Sequence, residues 1–297
     1  MQSTNRILMV RPQNFFFNEE TAEDNLYQNE PKENKDTISK KALEEFDKAV
    51  EIIKNKNIEV NIIEDNFNPY TPDSIFPNNW FSTHNGLLIL YPMYAENRRK
   101  EVFKFKDKLI NIYKPKKIID LRDEGFRKEQ YLESTGAMIF DRVNKKIYAS
   151  LSERSNEDLI KELGNILDYR TFIFKSHQLN TPIYHTNVLM SITSDFAFVA
   201  LDLIDEEYRN EVYESLKEDR KVINLNSQNI LDFCANVLEL NDNKGKKYLM
   251  MSDTSYKSLD KKILETIEEK LEIIHVDVST IERIGGGSIR CMIGELF

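Results

Sequence analysis

The sequence predicts an α/β fold in which five strand-strand-helix-strand units form a five-bladed propeller around a pseudo-fivefold axis. Strand-like and helix-like segments alternate along all 297 residues, and no Gly/Ser-rich or Pro-rich linker interrupts them. Four copies of the unit follow one another, and the two chain ends supply a fifth. Repetition of a small unit that both ends complete is typical of radial closure. We therefore expect one domain, residues 1–297.

The first complete unit begins at residues 80–91, where Asn85-Gly86 is the strongest short signal for a β-hairpin. A segment with helical periodicity follows at 98–112, and then a strand at 117–121. The next two units repeat this order, with hairpins at 137–151 (turn at 144–145) and 187–203 (turn at 193–195), helices at 156–166 and 206–217, and strands at 171–174 and 222–225.

The remaining units are less regular. The fourth is predicted as a short hairpin at 248–256, a helix at 259–270 and a strand at 273–276. The fifth combines 288–296 with 7–11, a helix at 39–56 and a strand at 59–63. In a closed ring, corresponding strand ends lie around one axis, so residues distant in sequence converge there.

Composition excludes several classes of protein. The formal net charge of −9 argues against a nucleic-acid partner, because phosphate binding needs a basic surface. No apolar run approaches the roughly 20 residues of a membrane helix, and no secretory signal opens the chain, so we expect a cytoplasmic protein without a membrane partner. The two cysteines suggest neither a disulfide framework nor a zinc site, and we expect no metal and no cofactor. The sequence leaves open whether the protein forms a homo-oligomer.

Cys291 is the candidate nucleophile. It follows the glycine tract 285–287, which lets the backbone approach a ligand closely, and Arg290 beside it would favour the thiolate. The competing interpretation is a small buried side chain after a glycine turn. Cys234 lies in the apolar segment 230–238 and is expected to be inert packing.

Three further segments lie at or near the starts of predicted hairpins in other units. His185 and Glu133 are suited to acid/base chemistry, although each alone is also explained as a structural hydrogen-bonding or capping group. The segment 72–81 contains Asp73 and the chain's single tryptophan, and alone it is a loop. Together with Cys291 these residues form a set for covalent attack with acid/base assistance.

With these motifs in order, the chain resembles the guanidine-group-modifying enzymes of the pentein superfamily. This superfamily includes arginine deiminases and dimethylarginine dimethylaminohydrolases. The strongest likeness is to amidinotransferase-like citrulline-utilisation hydrolases of the CtlX type. The stretches that carry the resemblance are 72–81, 132–136, 151–156, 185–187 and the carboxy-terminal GGGSIRC.

The resemblance implies a role for each candidate. Cys291 would attack the guanidinium or ureido carbon, and His185 would protonate the leaving amine and then activate water. Glu133 would hold the substrate nitrogens. Arg98 and Arg154 would grip the substrate carboxylate, because a planar guanidinium binds carboxylates bidentately.

The chain departs from the superfamily pattern at Asn78 and Asn79, where relatives that bind a cationic guanidinium carry acids. An asparagine amide can donate to a ureido oxygen, so neutral citrulline fits better than arginine. Asn187 replaces an aspartate of the deiminases and points the same way. The expected activity is hydrolysis of citrulline to ornithine, carbon dioxide and ammonia. The alternatives are an arginine or methylarginine hydrolase or deiminase, in which Asp73 and Glu133 supply the charge, an amidinotransferase, and an inactive pentein that binds an amino acid or a protein.

Overall fold

The computed structural model describes residues 1–297 and contains five three-stranded sheets of the same pattern. In each sheet the central strand pairs antiparallel with one neighbour and parallel with the other. The strands, given sheet by sheet with the central strand second, are Gly294–Glu295, Arg6–Arg11 and Glu59–Glu64; Phe81–His84, Leu87–Leu90 and Lys117–Asp120; Ile139–Asp141, Lys146–Ser150 and Arg170–Phe174; Met190–Ile192, Phe196–Val199 and Lys221–Asn224; Leu238–Asn241, Lys247–Ser252 and Glu272–Val276. A short separate pair joins His177–Gln178 to Thr181–Pro182.

Helices connect the central strand to the parallel strand in every sheet. The first of them, Lys35–Lys54, buries Ile38, Ala42, Phe46, Ala49 and Ile53. This spacing of three and four residues places one apolar stripe on the core. The other helices are Glu19–Ala22, Glu96–Tyr113, Arg122–Lys128, Ser134–Ala137, Glu157–Leu167, Thr186–Leu189, Glu206–Lys217, Ser227–Leu231, Asp253–Ser258, Lys261–Glu268 and Ser279–Gly285, with 3-10 turns at Pro77–Asn79, Leu201–Leu203 and Ile289–Met292. None of the helices has both the length and the apolar character needed to cross a membrane.

Most predicted pairings are confirmed. The turn Asn85-Gly86 has φ values of 49° and 87°, the left-handed backbone that a tight hairpin turn requires. The two chain ends pair as expected, with Ile7 opposite Glu295 and Leu8 opposite Gly294. The strand at this end is shorter than predicted, because Ile289–Met292 forms a 3-10 turn.

The predicted hairpin at 248–256 is wrong. Lys247–Ser252 pairs with Leu238–Asn241 instead, and Asp253–Ser258 is helical. The turn lies at Asp242–Gly245, where the Asp242 side chain accepts hydrogen bonds from the backbone of Lys244 and Lys246. Ser252, inside the predicted hairpin, is a helix cap whose side chain accepts a hydrogen bond from the Ser255 backbone N–H.

The hairpins predicted to begin at Ala137 and Asn187 begin later. A single helical turn occupies Ser134–Ala137 in one case and Thr186–Leu189 in the other, and the strands start at Ile139 and Met190. These turns decide where the candidate residues lie, because Glu133 and His185 are the residues that precede them.

Candidate active site

Each of the five sheets has a candidate polar residue shortly before its first antiparallel strand. These residues are Asn79, Glu133, His185, Asn236 and Cys291. All five are at most 3% exposed. The segment before the first strand of each sheet therefore places one polar side chain in the protein interior.

The glycine tract positions the segment that carries Cys291. Gly286 has φ of +64°, and a Cβ there would lie 2.5 Å from Asn25 Nδ2. A Cβ on Gly285 would lie 2.8 Å from the Phe76 ring. The tract thus permits a left-handed turn packed tightly against neighbouring segments, and the 3-10 turn Ile289–Met292 follows with Cys291 in it.

Two amides contact the Cys291 sulfur. Asn236 Nδ2 lies 3.3 Å and Asn187 Nδ2 3.5 Å from Sγ. Burial raises the pKa of the Cys291 thiol above its usual value, although the Asn236 hydrogen bond and the charge of Arg290 act in the opposite direction. The Arg290 guanidinium points elsewhere, to Ile293 O and to Glu295 at 3.0 Å. The resting residue is therefore a thiol held by amides.

His185 is oriented by Glu133. Its Nε2 lies 2.7 Å from Glu133 Oε2, so this nitrogen donates to the carboxylate and Nδ1 keeps the free lone pair. Burial lowers the pKa of His185 below its usual value, although Glu133 acts in the opposite direction. The imidazole is thus neutral near pH 7 and can accept a proton at Nδ1.

Glu133, expected to hold the substrate nitrogens, contacts protein groups with both of its oxygens. Its second oxygen accepts the Tyr94 amide at 3.1 Å, and Arg154 Nη1 lies 3.7 Å from Oε2. Burial would raise the pKa of Glu133, but Arg154 and His185 outweigh it and lower the pKa to about 2. Both oxygens therefore face protein groups, Glu133 does not line the cavity, and its direct contact on that side is His185.

Arg98 differs from its expected role as a carboxylate grip. Its guanidinium binds both oxygens of Glu101, at 2.9 and 3.0 Å, and the Phe76 carbonyl at 2.9 Å. Nη1 donates to Asn79 Oδ1 at 2.9 Å. Only one N–H is left, which is too few for a bidentate grip. Arg98 positions Asn79 instead.

Asn79 faces the cavity, and its hydrogen bond with Arg98 fixes the orientation of its side-chain amide. Because arginine only donates, Oδ1 must face Arg98 and Nδ2 must point away from it. Nδ2 has no hydrogen-bond partner. It lies over Gly136, where a Cβ would come within 2.2 Å of it and within 2.9 Å of the His185 ring. A free amide donor therefore lies beside the His185 imidazole, and Gly136 leaves space for both.

Asp73 also lines the cavity, whereas Asn78 does not. Asn18 and Thr21 donate to Asp73 Oδ2, at 2.7 and 3.0 Å, and Oδ1 has no partner. Burial raises the pKa of Asp73, although Arg98 acts in the opposite direction. Asn78, expected to contact the substrate, is fully buried outside the cavity lining, and neither of its amide atoms is hydrogen-bonded.

Arg154 lines the cavity but binds an aspartate of this chain. Both Nε and Nη2 donate to the Asp24 carboxylate, and Nη2 also donates to Thr21 O at 3.0 Å. Its guanidinium lies 4.8 Å from the centre of the Tyr184 ring, and Tyr184 packs against His185 with ring centres 4.5 Å apart. The residues that line the cavity include Cys291, His185, Asp73, Asn79, Arg98, Arg154, Tyr184, Thr21 and Asn25.

This cavity is narrow in the structure. Its volume is about 10 Å³, room for about one water molecule. Tyr184 also lines a larger, outer cavity of about 590 Å³, and Asp24 is part of that outer lining. The Asp24–Arg154 ion pair therefore joins the lining of the outer cavity to that of the inner one.

Sequence reasoning missed Asn236 and the contribution of the segment 13–34. Asn236 was hidden by the wrong hairpin at 248–256, since a strand predicted from Leu238 would have placed Asn236 just before a hairpin, as Glu133 and His185 are. The segment 13–34 has no repeat pattern, so no signal was present. Cys234 lies fully buried in an apolar cluster, and burial raises its pKa to about 11. No group of three or more His, Cys, Asp or Glu side chains is arranged to bind a metal ion.

The arrangement can carry out covalent hydrolysis. A buried thiol, a neutral imidazole oriented by a carboxylate, and unpartnered donor and acceptor atoms on Asn79 and Asp73 surround one small cavity. Such a set activates a nucleophile, holds a planar group by its edges and moves one proton.

Comparison with known proteins agrees with this chemistry. The family model described as N,N dimethylarginine dimethylhydrolase, eukaryotic, matches residues 11–297. A search among curated protein sequences found no match. Among solved structures, the cyanobacterial arginine dihydrolase ArgZ aligns over 98% of this chain with a TM-score of 0.78 and 17% identity, and the chain spans only 40% of ArgZ.

Two single-domain structures align over nearly their whole length. The N-terminal domain of ArgZ, a cysteine-to-serine mutant bound to substrate, gives a TM-score of 0.77 at 18% identity, with 98% of this chain and 97% of that domain covered. The dimethylarginine hydrolase of Pseudomonas aeruginosa, a cysteine-to-serine mutant complexed with citrulline, gives 0.69 at 15% identity, with 98% of each chain covered. The chain belongs to the family whose model is described as N,N dimethylarginine dimethylhydrolase, eukaryotic.

Proposed function

We propose that the protein hydrolyses free citrulline to ornithine, carbon dioxide and ammonia. The Cys291 sulfur attacks the ureido carbon after its proton moves to His185, and the C–N bond to the ornithine side chain breaks. His185 returns the proton to the departing amine. Water, deprotonated by His185, then cleaves the thiocarbamoyl enzyme, and the carbamate that forms breaks down to carbon dioxide and ammonia.

The observation that carries this proposal is the orientation of Asn79. Its Nδ2 is a buried donor without a partner, and Arg98 prevents the amide from turning its oxygen to the cavity. A ureido oxygen satisfies such a donor, whereas a guanidinium presents only N–H groups to it. Asp73 Oδ1, an unpartnered acceptor on the same cavity, can receive a ureido N–H.

A second candidate is hydrolysis of arginine, by way of citrulline. Asp73 is a buried carboxylate without a direct ion-pair partner, and such a group attracts a guanidinium cation. The structural relative ArgZ is described as an arginine dihydrolase. An enzyme of this kind would use the same Asn79 donor in its citrulline half-reaction, so the two candidates differ in whether arginine is accepted at all.

The substitution Asn79→Asp separates the two candidates. We expect the wild type to prefer citrulline to arginine in kcat/KM, and Asn79→Asp to shift the ratio toward arginine by about 1–3 kcal/mol, roughly 5- to 150-fold. The added carboxylate pairs with the cation and removes the donor for the ureido oxygen. Ornithine release is measured on both substrates in parallel.

Asn78→Asp is the matched control, because Asn78 is equally buried but does not line the cavity. It should leave the substrate ratio unchanged, and the ratio does not depend on how much protein is folded. Arginine turned over faster than citrulline by the wild type would contradict the citrulline assignment, and Cys291 would still be the nucleophile.

We also propose that Arg154 binds the α-carboxylate of the substrate once Asp24 leaves it. Asp24 holds the guanidinium by two nitrogens, as a substrate carboxylate would. Breaking this pair would connect the inner cavity to the outer cavity of about 590 Å³ and give the substrate access.

The variant Arg154→Ala tests this role. Activity on citrulline should fall more than activity on carbamoylputrescine, which lacks the carboxylate, by about 1.5–3 kcal/mol in relative kcat/KM. Asp24→Asn should act in the opposite direction and lower KM for citrulline, because the substrate no longer competes with an ionised carboxylate. Equal losses on both substrates would show that Arg154 serves only Glu133 and the fold.

The expected propeller architecture and the expected cytoplasmic location both fit this proposal. We infer that the five sheets are the blades of one closed α/β propeller and one catalytic domain, since each sheet contributes a residue at the equivalent position. A cytoplasmic location suits the mechanism as well, because Cys291 and Cys234 are free thiols and Cys291 must stay reduced.

A further inference from the structure

Asn236 contacts the Cys291 sulfur and lies just before the strand Leu238–Asn241, which the sequence did not predict. The residue is fully buried, between the helix Ser227–Leu231 and the strand that starts at Leu238. Phe233, in the connecting segment, has a left-handed backbone with φ of 58°, which is costly for an aromatic residue. The backbone N–H of Asn236 donates to Phe233 O at 2.9 Å. A strained turn therefore brings Asn236 to the sulfur.

The side chain of Asn236 can adopt only one orientation. Nδ2 donates to the backbone carbonyl of Asn187 at 3.0 Å, and because a carbonyl only accepts, the amide nitrogen must face it. The second hydrogen of Nδ2 is then directed to Cys291 Sγ at 3.3 Å. Oδ1 lies 3.6 Å from the same sulfur and can accept the thiol hydrogen.

We propose that Asn236 is a positioning residue that serves both protonation states of Cys291. In the thiol, S–H donates to Asn236 Oδ1. When the proton moves to the His185 imidazole, the sulfur becomes an acceptor, and the Nδ2 hydrogen already directed at it stabilises the thiolate. Because neither state requires the amide to rotate, ionisation needs no rearrangement at this contact.

The neighbourhood of Cys291 explains why a neutral amide matters here. The titratable groups around the sulfur are His185, Tyr184, Arg290 and, across the cavity, Asp73, Arg98 and Arg154. The three arginines are each paired with a carboxylate of the chain, Arg290 with Glu295, Arg98 with Glu101 and Arg154 with Asp24. The amides are therefore the direct donors to the sulfur. This inference holds whether the substrate is citrulline or arginine.

The experiment measures the alkylation rate of Cys291 by iodoacetamide as a function of pH, with peptide mapping, in wild type, Asn236→Asp and Asn236→Ala. Asp at 236 keeps the shape but has at most one hydrogen to donate, and Ala has none. Both variants should raise the apparent pKa of Cys291 by about one unit or more and slow alkylation near pH 7 about tenfold or more. The citrulline kcat should fall in parallel.

Asn229→Asp is the matched control, because Asn229 is a buried asparagine of the same segment that caps a helix without touching the sulfur. It should leave the alkylation profile unchanged. Circular dichroism confirms folding of each variant, and Asn236→Ala carries the test if aspartate at 236 prevents folding. An unchanged pH profile of alkylation in folded Asn236 variants, even with a lower kcat, would show a merely structural role and overturn the proposal.

Discussion

Replacement of Cys291 by serine should reduce ornithine release by about 10⁴-fold or more, since covalent catalysis needs a nucleophile that ionises near neutral pH. A serine hydroxyl is far less acidic than a thiol, and the two asparagine amides that hold Sγ cannot compensate for this difference. The wild type, quenched during turnover, should carry a carbamoyl group on the peptide with Cys291. Intact-protein and peptide mass spectrometry detect this group.

Cys234→Ser is the matched control for this substitution. Cys234 lies in a separate apolar cluster, and burial raises its pKa to about 11, so the variant should keep near-normal turnover. Iodoacetamide should label Cys291 before Cys234, and citrulline should protect Cys291. Near-normal turnover by Cys291→Ser, or first labelling at Cys234, would exclude the covalent mechanism.

Replacement of His185 by alanine should lower kcat by about 10²–10⁴, the usual contribution of general acid/base catalysis. The imidazole lies beside the Asn79 amide above Gly136, and the proton it takes from the thiol is the one it gives to the leaving amine. Single-turnover measurements of ornithine release report the first step, and release of ammonia reports the second. An unchanged kcat would contradict the assignment of His185.

The pH profile gives an independent test of His185 and of Glu133. Burial lowers the pKa of His185, although Glu133 acts in the opposite direction, so the neutral form persists below the usual value of histidine. Activity should therefore be constant near neutral pH and fall as pH decreases through this lowered pKa. Glu133→Gln removes the group that raises the pKa, so the acidic limb of the kcat profile should move to lower pH and kcat should decrease.

Asp141→Asn is a useful control for Glu133→Gln, because Asp141 is likewise a buried carboxylate, paired with Arg220, and does not line the inner cavity. It should affect thermal stability and leave the acidic limb in place. If Glu133→Gln leaves the acidic limb unmoved, Glu133 does not act through His185.

Local signals in the sequence determined the repeated elements of the fold. The Asn85-Gly86 turn, the helix 206–217 and the pairing of residues 7–11 with the carboxy-terminal strand were predicted, because turn residues and apolar periodicity act over a few neighbouring residues. The same locality explains the error in the hairpin predicted at 248–256. Ser252-Asp253 fits either a turn or a helix cap, and only pairing with Leu238–Asn241 decides between them.

The sequence by itself also singled out Cys291, His185, Asp73 and Asn79, since their residue types and motifs are visible without a structure. Tertiary structure alone decided what each polar group faces. Arg98 binds Glu101 and so turns the Asn79 donor to the cavity, Asn78 next to it does not line the cavity, and Glu133 contacts His185. Such roles depend on single hydrogen bonds between residues far apart in the chain. The direction of a donor or acceptor is determined by its partner, and no local pattern encodes that partner.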